Sequence, residues 1–300
     1  IIKIGQAKPA NILALTFTES ACVNMQERLL KIMGKEAYQV PIFTFHSFCT
    51  NIISKYPEHF FDAHRFEPIS ELKQNEILSK IFEDLPYGHP LYGYHEERGY
   101  SFFSDTVERI RNFKEAGLTP EDVSQKIENN QKELDVITPI LREHLPARIS
   151  KDSIDDLISK LSASKTELGS IYANQLDDLR DRGDLAKIKS SLLAKNDKGD
   201  SIFKEEKYTE KFLAVAEIYR QYQENLWKEG YFDFNDMILY VRDKLQQSDE
   251  LRAEIEETYQ YILVDEFQDT NNAQLGLITS ITSNPVLEGK ANVFVVGDDD

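Results

Sequence analysis

The chain is poor in cysteine: two residues in 300, Cys22 and Cys49, far apart and without C-x-x-C spacing. That excludes a zinc site or a disulfide framework and fits a reducing cytoplasm. No apolar run approaches the ~18–20 residues needed to cross a bilayer, and no basic-then-apolar leader opens the sequence. Bases are outnumbered, with 35 Lys and Arg against 52 Asp and Glu, for a formal net charge of -17. Such a balance argues against a protein that merely coats nucleic acid. Also missing is the phosphate-gripping run G-x-x-x-x-G-K-[ST], which Gly5-Gln6-Ala7-Lys8 does not fit. No methionine precedes Ile1, and the last residues, Asp298-Asp299-Asp300, directly follow an apolar run and Gly297. Both ends read as cuts through a longer protein.

What is present is an ordinary globular composition, 41% hydrophobic and 29% charged, long enough for one large domain or two smaller ones. The charge is uneven. Residues 1–60 carry six bases against four acids, whereas residues 229–300 carry sixteen acids against four bases. Metal chemistry is therefore expected at the acidic end and nucleic acid at the other.

Four short apolar runs read as buried strands: Asn11–Thr16, Val40–Thr44, Tyr261–Asp265 and Asn292–Gly297. Continuous rather than alternating apolarity indicates a parallel sheet covered on both faces. The first run leads to Thr18 as an N-cap and to a helix closed by Gly34, with Cys22, Met25, Leu29 and Ile32 on its inner stripe. Strand, helix, strand is a βαβ unit. From about Ser70 to Trp227 the pattern is helical with almost no strand signal. Thr119-Pro120 opens one helix there, a long one runs from about Glu205 to Glu229, and residues 148–205 read as exposed helices with soft loops. The expectation is an α/β domain made of residues 1–65 and 223–300, with an all-helical insertion at 66–222.

The most specific chemical signal is Asp265-Glu266 at the end of Tyr261-Ile262-Leu263-Val264. Ligands of open parallel sheets bind outside the carboxyl ends of the strands. An Asp there can hold Mg²⁺, a hard ion that prefers oxygen donors, and a Glu beside it can orient and deprotonate a water attacking a γ-phosphate. The plainer alternative is that the two acids cap the next helix. Phe17 after a strand reads more often as core than as a stacking platform, and His46 between Phe45 and Phe48 as a partly buried, hydrogen-bonded histidine. Asp233 and Asp236 read as helix-capping or supporting residues.

The segment Val264-Asp265-Glu266-Phe267-Gln268-Asp269-Thr270-Asn271 resembles motif II, the Walker B segment, of UvrD/Rep/PcrA-type superfamily 1 DNA helicases. Val295-Val296-Gly297-Asp298-Asp299-Asp300 resembles the opening of their motif III. Leu15-Thr16-Phe17-Thr18 resembles motif Ia, and Phe43-Thr44-Phe45-His46-Ser47-Phe48 resembles motif Ib. Phe232–Met237 and Lys114–Pro120 resemble further segments, and all occur in the family's order across nearly the whole chain.

The resemblance implies a RecA-like parallel-sheet P-loop NTPase domain with a large helical insertion. It implies ATP and Mg²⁺ as cofactors, with Asp265 on the metal, Glu266 as catalytic base and Gln268 near the nucleotide. It places Thr16, Phe17, Thr18, Thr44, His46 and Ser47 along single-stranded DNA. The full-length protein would be a cytoplasmic, monomeric translocase moving 3′ to 5′, in contact with DNA-repair or recombination proteins. The phosphate loop would lie upstream of Ile1, so the chain alone is expected to be inactive. One departure is Glu19-Ser20, where most relatives carry Asn-Lys. That Glu is reminiscent of RecB/AddA-like recombination helicase–nucleases, and an ATPase-dead scaffold is the other rival.

Overall fold

The computed structural model describes residues 7–60, 67–96, 99–145, 150–196, 198–282 and 292–298. Gly5, Gln6, Asp299, Asp300 and the expected boundary at 65–66 lie outside them. The chain begins with β1 (Ile12–Thr16), α1 (Glu19–Met33), β2 (Ile42–Thr44), α2 (Phe45–Lys55), β3 (Glu67–Pro68) and α3 (Glu71–Glu83). A hairpin of β4 (Tyr94–His95) and β5 (Gly99–Tyr100) precedes α4 (Phe103–Glu115), α5 (Pro120–His144), α6 (Lys151–Ala163), α7 (Glu167–Asp181) and α8 (Leu185–Leu192). A second hairpin, β6 (Leu193–Lys195) and β7 (Ser201–Phe203), leads into α9 (Lys204–Glu229). The chain then runs through β8 (Tyr231–Phe232), α10 (Phe234–Gln247), α11 (Asp249–Thr258), β9 (Tyr261–Val264), α12 (Asn272–Thr282) and β10 (Val293–Val295).

The four apolar runs of the sequence become one parallel sheet in the order β10-β9-β1-β2. β1 is buried at every residue, as its unbroken apolar run requires. Its register sets Leu15 beside Val264 on one side and Thr16 beside Thr44 on the other. β10 departs from the expectation of burial on both faces. Phe294 is 63% and Val295 46% exposed, because β10 is an edge strand among the described residues. Around the sheet, Leu13, Leu15, Phe45, Phe48, Ile52, Ile238, Val241, Leu251, Ile255, Leu277 and Ile281 form one continuous core. α1 has Thr18 as its N-cap and Gly34, at φ 66°, as its C-cap. Its stripe is only half covered, and Ile32 is exposed.

Contacts divide the chain into two compact units. The first comprises residues 1–80, 107–119 and 222–300, and the second 81–106 and 120–221. Residues 67–80 and 107–119, placed by the sequence reading within the insertion, thus pack with the sheet unit. The second unit has its own core, in which Leu134, Ile137 and Leu141 of α5 meet Ile154, Leu157 and Leu161 of α6 and Tyr172 and Leu176 of α7. The described residues of 148–205, expected from their Lys, Asp, Ser and Leu content to be exposed helices, are helical but bury one face in this core. Their leucines and isoleucines recur at three- and four-residue intervals, which gathers them on one face.

The placement of residues 107–119 has a physical cause. Lys114, on the last turn of α4, is buried at 1% exposure, and its Nζ lies 2.5 Å from Asp233 and 2.6 Å from Asp236. The two carboxylates hold the ammonium charged against the cost of its burial, and the Tyr222 ring faces the same nitrogen at 4.9 Å. Asp233 is the N-cap of α10, and Asp236 closes the reciprocal capping box. The following turn is tied to the same helix, because Arg242 donates to the Gly117 carbonyl at 2.7 Å. Gly117 sits at φ 78°, a conformation that a side chain resists, and a Cβ there would meet Arg242 at 2.9 Å.

Removing the cation leaves two carboxylates without a counter-charge. Lys114→Met should cost about 3–5 kcal/mol at neutral pH, measured by urea unfolding. Burial already raises the Asp236 carboxyl from 3.8 to about 6, and without the lysine it rises further. A carboxyl whose folded pKa lies above its unfolded value favours folding at low pH and loses that contribution as pH rises through the folded value. The deficit of Lys114→Met should therefore shrink as pH falls from 8 towards ~5. A deficit that is absent or independent of pH would contradict this account.

Candidate functional site

All four strands of the sheet are parallel, so their carboxyl ends share one edge, and the motif-bearing residues emerge there. β1 delivers Thr16, Phe17 and Thr18, β2 delivers Thr44, His46 and Ser47, β9 delivers Asp265 and Glu266, and β10 delivers Val296, Gly297 and Asp298. Adjacent strands stand about 4.8 Å apart, so the acids of β9 lie one strand from the threonines of β1 and one from the glycine of β10.

The acidic corner is closely determined. The Asp265 N–H donates to the Leu15 carbonyl at 3.0 Å, which continues the β9–β1 ladder one residue past the strand. Asp265 is half-buried and Glu266 exposed. Glu266 has φ 51° and ψ 46°, the left-handed region, although it is not glycine. For a residue with a Cβ this costs about 1 kcal/mol or more, and such strain concentrates where side-chain direction matters. Beyond it, residues Phe267–Asp269 form one 3₁₀ turn.

Hydrogen bonds join this turn to β10. The Val296 N–H donates to the Val264 carbonyl at 2.9 Å, and the Phe267 N–H donates to the Val296 carbonyl at 2.8 Å. Gln268 spans the junction: its Nε2 donates to the Glu266 carboxylate at 2.7 Å, and its Oε1 accepts from the Asp298 N–H at 3.1 Å. Gly297 is required by this closeness, because a Cβ there would stand 2.3 Å from the Gln268 Oε1 and 3.2 Å from two backbone nitrogens. The plain alternative for the acid pair, capping the next helix, does not describe them. Among the described residues Glu266 makes no side-chain cap, and α12 begins only at Asn272, where Asn271 and Gln274 exchange hydrogen bonds.

The β1–β2 corner is built from helix caps. The Thr18 hydroxyl accepts from the Ala21 N–H at 3.1 Å and starts α1. Thr44 and Ser47 form a reciprocal capping box that starts α2. The Thr44 hydroxyl also lies 3.3 Å from the Glu19 carboxylate, so the residue that departs from the usual pattern bridges the first turns of two helices. Phe17 is half-buried, its ring 5.6 Å from Phe45. His46 is half-buried and packs edge-on against Phe234 at 4.8 Å. Burial lowers the His46 pKa, and the Asp233 carboxylate pulls the other way.

Thr16 and Thr44, read from the sequence as DNA contacts, are 0% and 5% exposed, so neither side chain faces solvent freely. Thr16 is enclosed because β1 is covered on both faces, and capping turns Thr44 towards its own helix. Among the described residues, the buried Thr16 Oγ1 and His46 Nε2 have no hydrogen-bond partner. The bridging role of Gln268, the left-handed Glu266 and the Phe234 contact were not foreseen. Only Gly297, a glycine directly after an apolar run, carried a local signal of close backbone approach.

The UvrD/REP helicase N-terminal domain family matches residues 1–300. A probable DNA helicase II homolog of Mycoplasma capricolum is 26% identical over 300 residues, covering 100% of this chain and 29% of the relative. The ATP-dependent DNA helicase PcrA of Leuconostoc citreum is 23% identical across 97% of this chain and 27% of its own length. The PcrA protein of Staphylococcus aureus is likewise 23% identical over 292 residues. The chain thus spans under a third of the curated relatives it matches. With strand order, carboxylate placement and a match along its full length in agreement, the chain belongs to the UvrD/Rep helicase N-terminal domain family.

Proposed function

We propose that this chain is the N-terminal motor portion of an ATP-dependent DNA helicase, a longer protein that couples ATP hydrolysis to 3′-to-5′ movement on single-stranded DNA. One observation carries the reading: Asp265 and Glu266 emerge at the tip of an inner parallel strand, hydrogen-bonded between β10 and β1. Carboxylate oxygens at a strand end suit Mg²⁺, which takes hard oxygen donors and keeps several waters. Asp265 holds that ion. Glu266, aimed by its left-handed backbone and held by Gln268, orients the attacking water and takes its proton. Bound Mg²⁺–ATP supplies the phosphoanhydride to be cleaved and the metal charge that stabilises its transferring phosphoryl group.

The DNA path runs over the neighbouring corner. Phe17 and His46 offer ring faces or edges to bases, while Thr18 and Ser47 offer hydroxyls to phosphates. Thr16 and Thr44 support that corner from beneath. The two regions are adjacent through β1, so a shift of β1 against β9 alters the grip on DNA and the aim of the carboxylates together.

In the longer protein, Glu266→Gln should lower DNA-stimulated ATP hydrolysis by about 10²–10⁴-fold, in a steady-state phosphate-release assay, while nucleotide binding persists. Retained turnover would remove the base from this position. The 300-residue chain, which has no phosphate-loop sequence, should show no turnover above background. Its binding to oligothymidylate should be weak and salt-sensitive, and Phe17→Ala or His46→Ala should each lower it about five- to tenfold in fluorescence anisotropy. Unchanged binding in both variants would place the DNA elsewhere. Glu266→Gly should leave the stability of the chain unchanged or raise it by up to about 1 kcal/mol, because relief of the left-handed backbone offsets the added chain entropy. A clear destabilisation would show that the carboxylate serves the fold rather than the chemistry.

A further inference from the structure

The second compact unit displays aromatic residues that the motor reading does not use. The β4–β5 hairpin sets Tyr94 opposite Tyr100, with ring centroids 5.1 Å apart and the rings edge-on. Tyr100 packs at 5.5 Å on Phe82, which is fully buried and itself 5.4 Å from Phe103. The outer rings are thus rooted in the core, and they are rigid contact area that costs little entropy to use. A second pair, Tyr87 and Tyr92, stands 5.6 Å apart on the preceding loop. Tyr87 is 93%, Tyr94 55% and Tyr92 41% exposed, which is unusual for side chains of this size lying so close together in sequence.

Exposed carboxylates adjoin these rings. Glu83 and Asp84, both exposed, directly follow Phe82, whose ring lies 5.5 Å from Tyr100, so the carboxylates stand beside this aromatic surface. Burial lowers the pKa of nearby His89, which leaves its imidazole neutral at physiological pH. Phosphate is disfavoured beside such carboxylates. One cation already lies on this aromatic surface: the Lys211 ammonium is 4.3 Å from the centroid of Phe102. Phe102 adjoins the loop, since a Cβ at Gly93 would lie 3.7 Å from its ring.

We propose that Tyr87, Tyr92 and Tyr94, with Glu83 and Asp84, form a docking surface for a basic segment of another protein, whose arginine or lysine side chain lies over the tyrosine rings. Rings supply the quadrupole attraction for the cation and the carboxylates supply its counter-charge, and such pairs are strongest when the guanidinium is partly desolvated. Tyrosine is also enriched where protein interfaces concentrate their energy. The surface stands on its own geometry and does not require the motor reading.

The test is titration calorimetry of the 300-residue chain with a short arginine–glycine repeat peptide, and with a counterpart carrying citrulline in place of arginine. A net charge of -17 attracts any cation, so the deciding variants leave charge alone. Tyr94→Leu and Tyr92→Leu should each weaken arginine-peptide binding about three- to tenfold, whereas Tyr94→Phe, which keeps the ring, should bind like the parent. The double substitution E83Q/D84N should weaken binding and flatten its salt dependence, and the citrulline peptide should not bind. Both rings are exposed, and far-ultraviolet circular dichroism of every variant confirms that the fold is kept. Equal affinity of the leucine variants and the parent would reduce the effect to general charge attraction and overturn the proposal. So would oligothymidylate binding that the same leucine variants weaken, because the surface would then serve nucleic acid.

Discussion

The motor chemistry proposed for this chain depends on the parallel registration of β9 between β10 and β1. The hydrogen bond from Asp265 to the Leu15 carbonyl fixes how far the acids project past the sheet. The paired bonds of Val296 and Phe267 fix the strand on the other side. A slip of one residue would turn Ile262 and Val264 out of the core and would bury the carboxylate instead. Hydrophobic burial therefore aims the polar chemistry. Val264 at 1% and Ile262 at 3% exposure are the anchors, and Asp265 is where the anchored segment ends.

The local features of that arrangement were legible in the sequence. Apolar runs gave the strands, Thr18 and Gly34 gave the limits of α1, and Asp265-Glu266 marked the strand tip. These signals reside in neighbouring residues, where period and capping chemistry act. What was not legible is long-range or conformational. No local signal marks Lys114 as a core residue, and only the arrival of Asp233, 119 positions later, makes it one. The left-handed backbone of Glu266 has no sequence mark, because residues other than glycine and asparagine rarely adopt it. The β4–β5 and β6–β7 hairpins escaped notice within a helical region because each strand is only two or three residues long. Thr44 and Ser47 show a further limit, since a capping box and a contact to a ligand demand the same residue types.

The buried ion cluster and the acidic corner illustrate two ways of handling charge. Around Lys114 the charges are withdrawn from water and matched to each other, and the helix start at Asp233 shares in the arrangement. At the sheet edge Glu266 is left exposed, tied only to a neutral amide. The first arrangement fixes a turn against a helix. The second leaves a carboxylate exposed to solvent, as the role proposed for Glu266 requires.

The separation in sequence between β1 and its partner has a consequence for how the molecule comes into being. Asn11 closes the entrance of the sheet by donating to the Thr258 carbonyl, 247 positions away, so a ribosome must finish most of the chain before β1 can acquire its inner neighbour. Before that, β2 is the only sheet neighbour of β1 that has been synthesised, and the other edge of β1 lacks its native partner. The second unit, whose helices pack largely on sequence neighbours, can assemble meanwhile. Synthesis thus delivers every residue of the second unit before β9 and β10, so the four-stranded sheet is the later of the two to have all its parts.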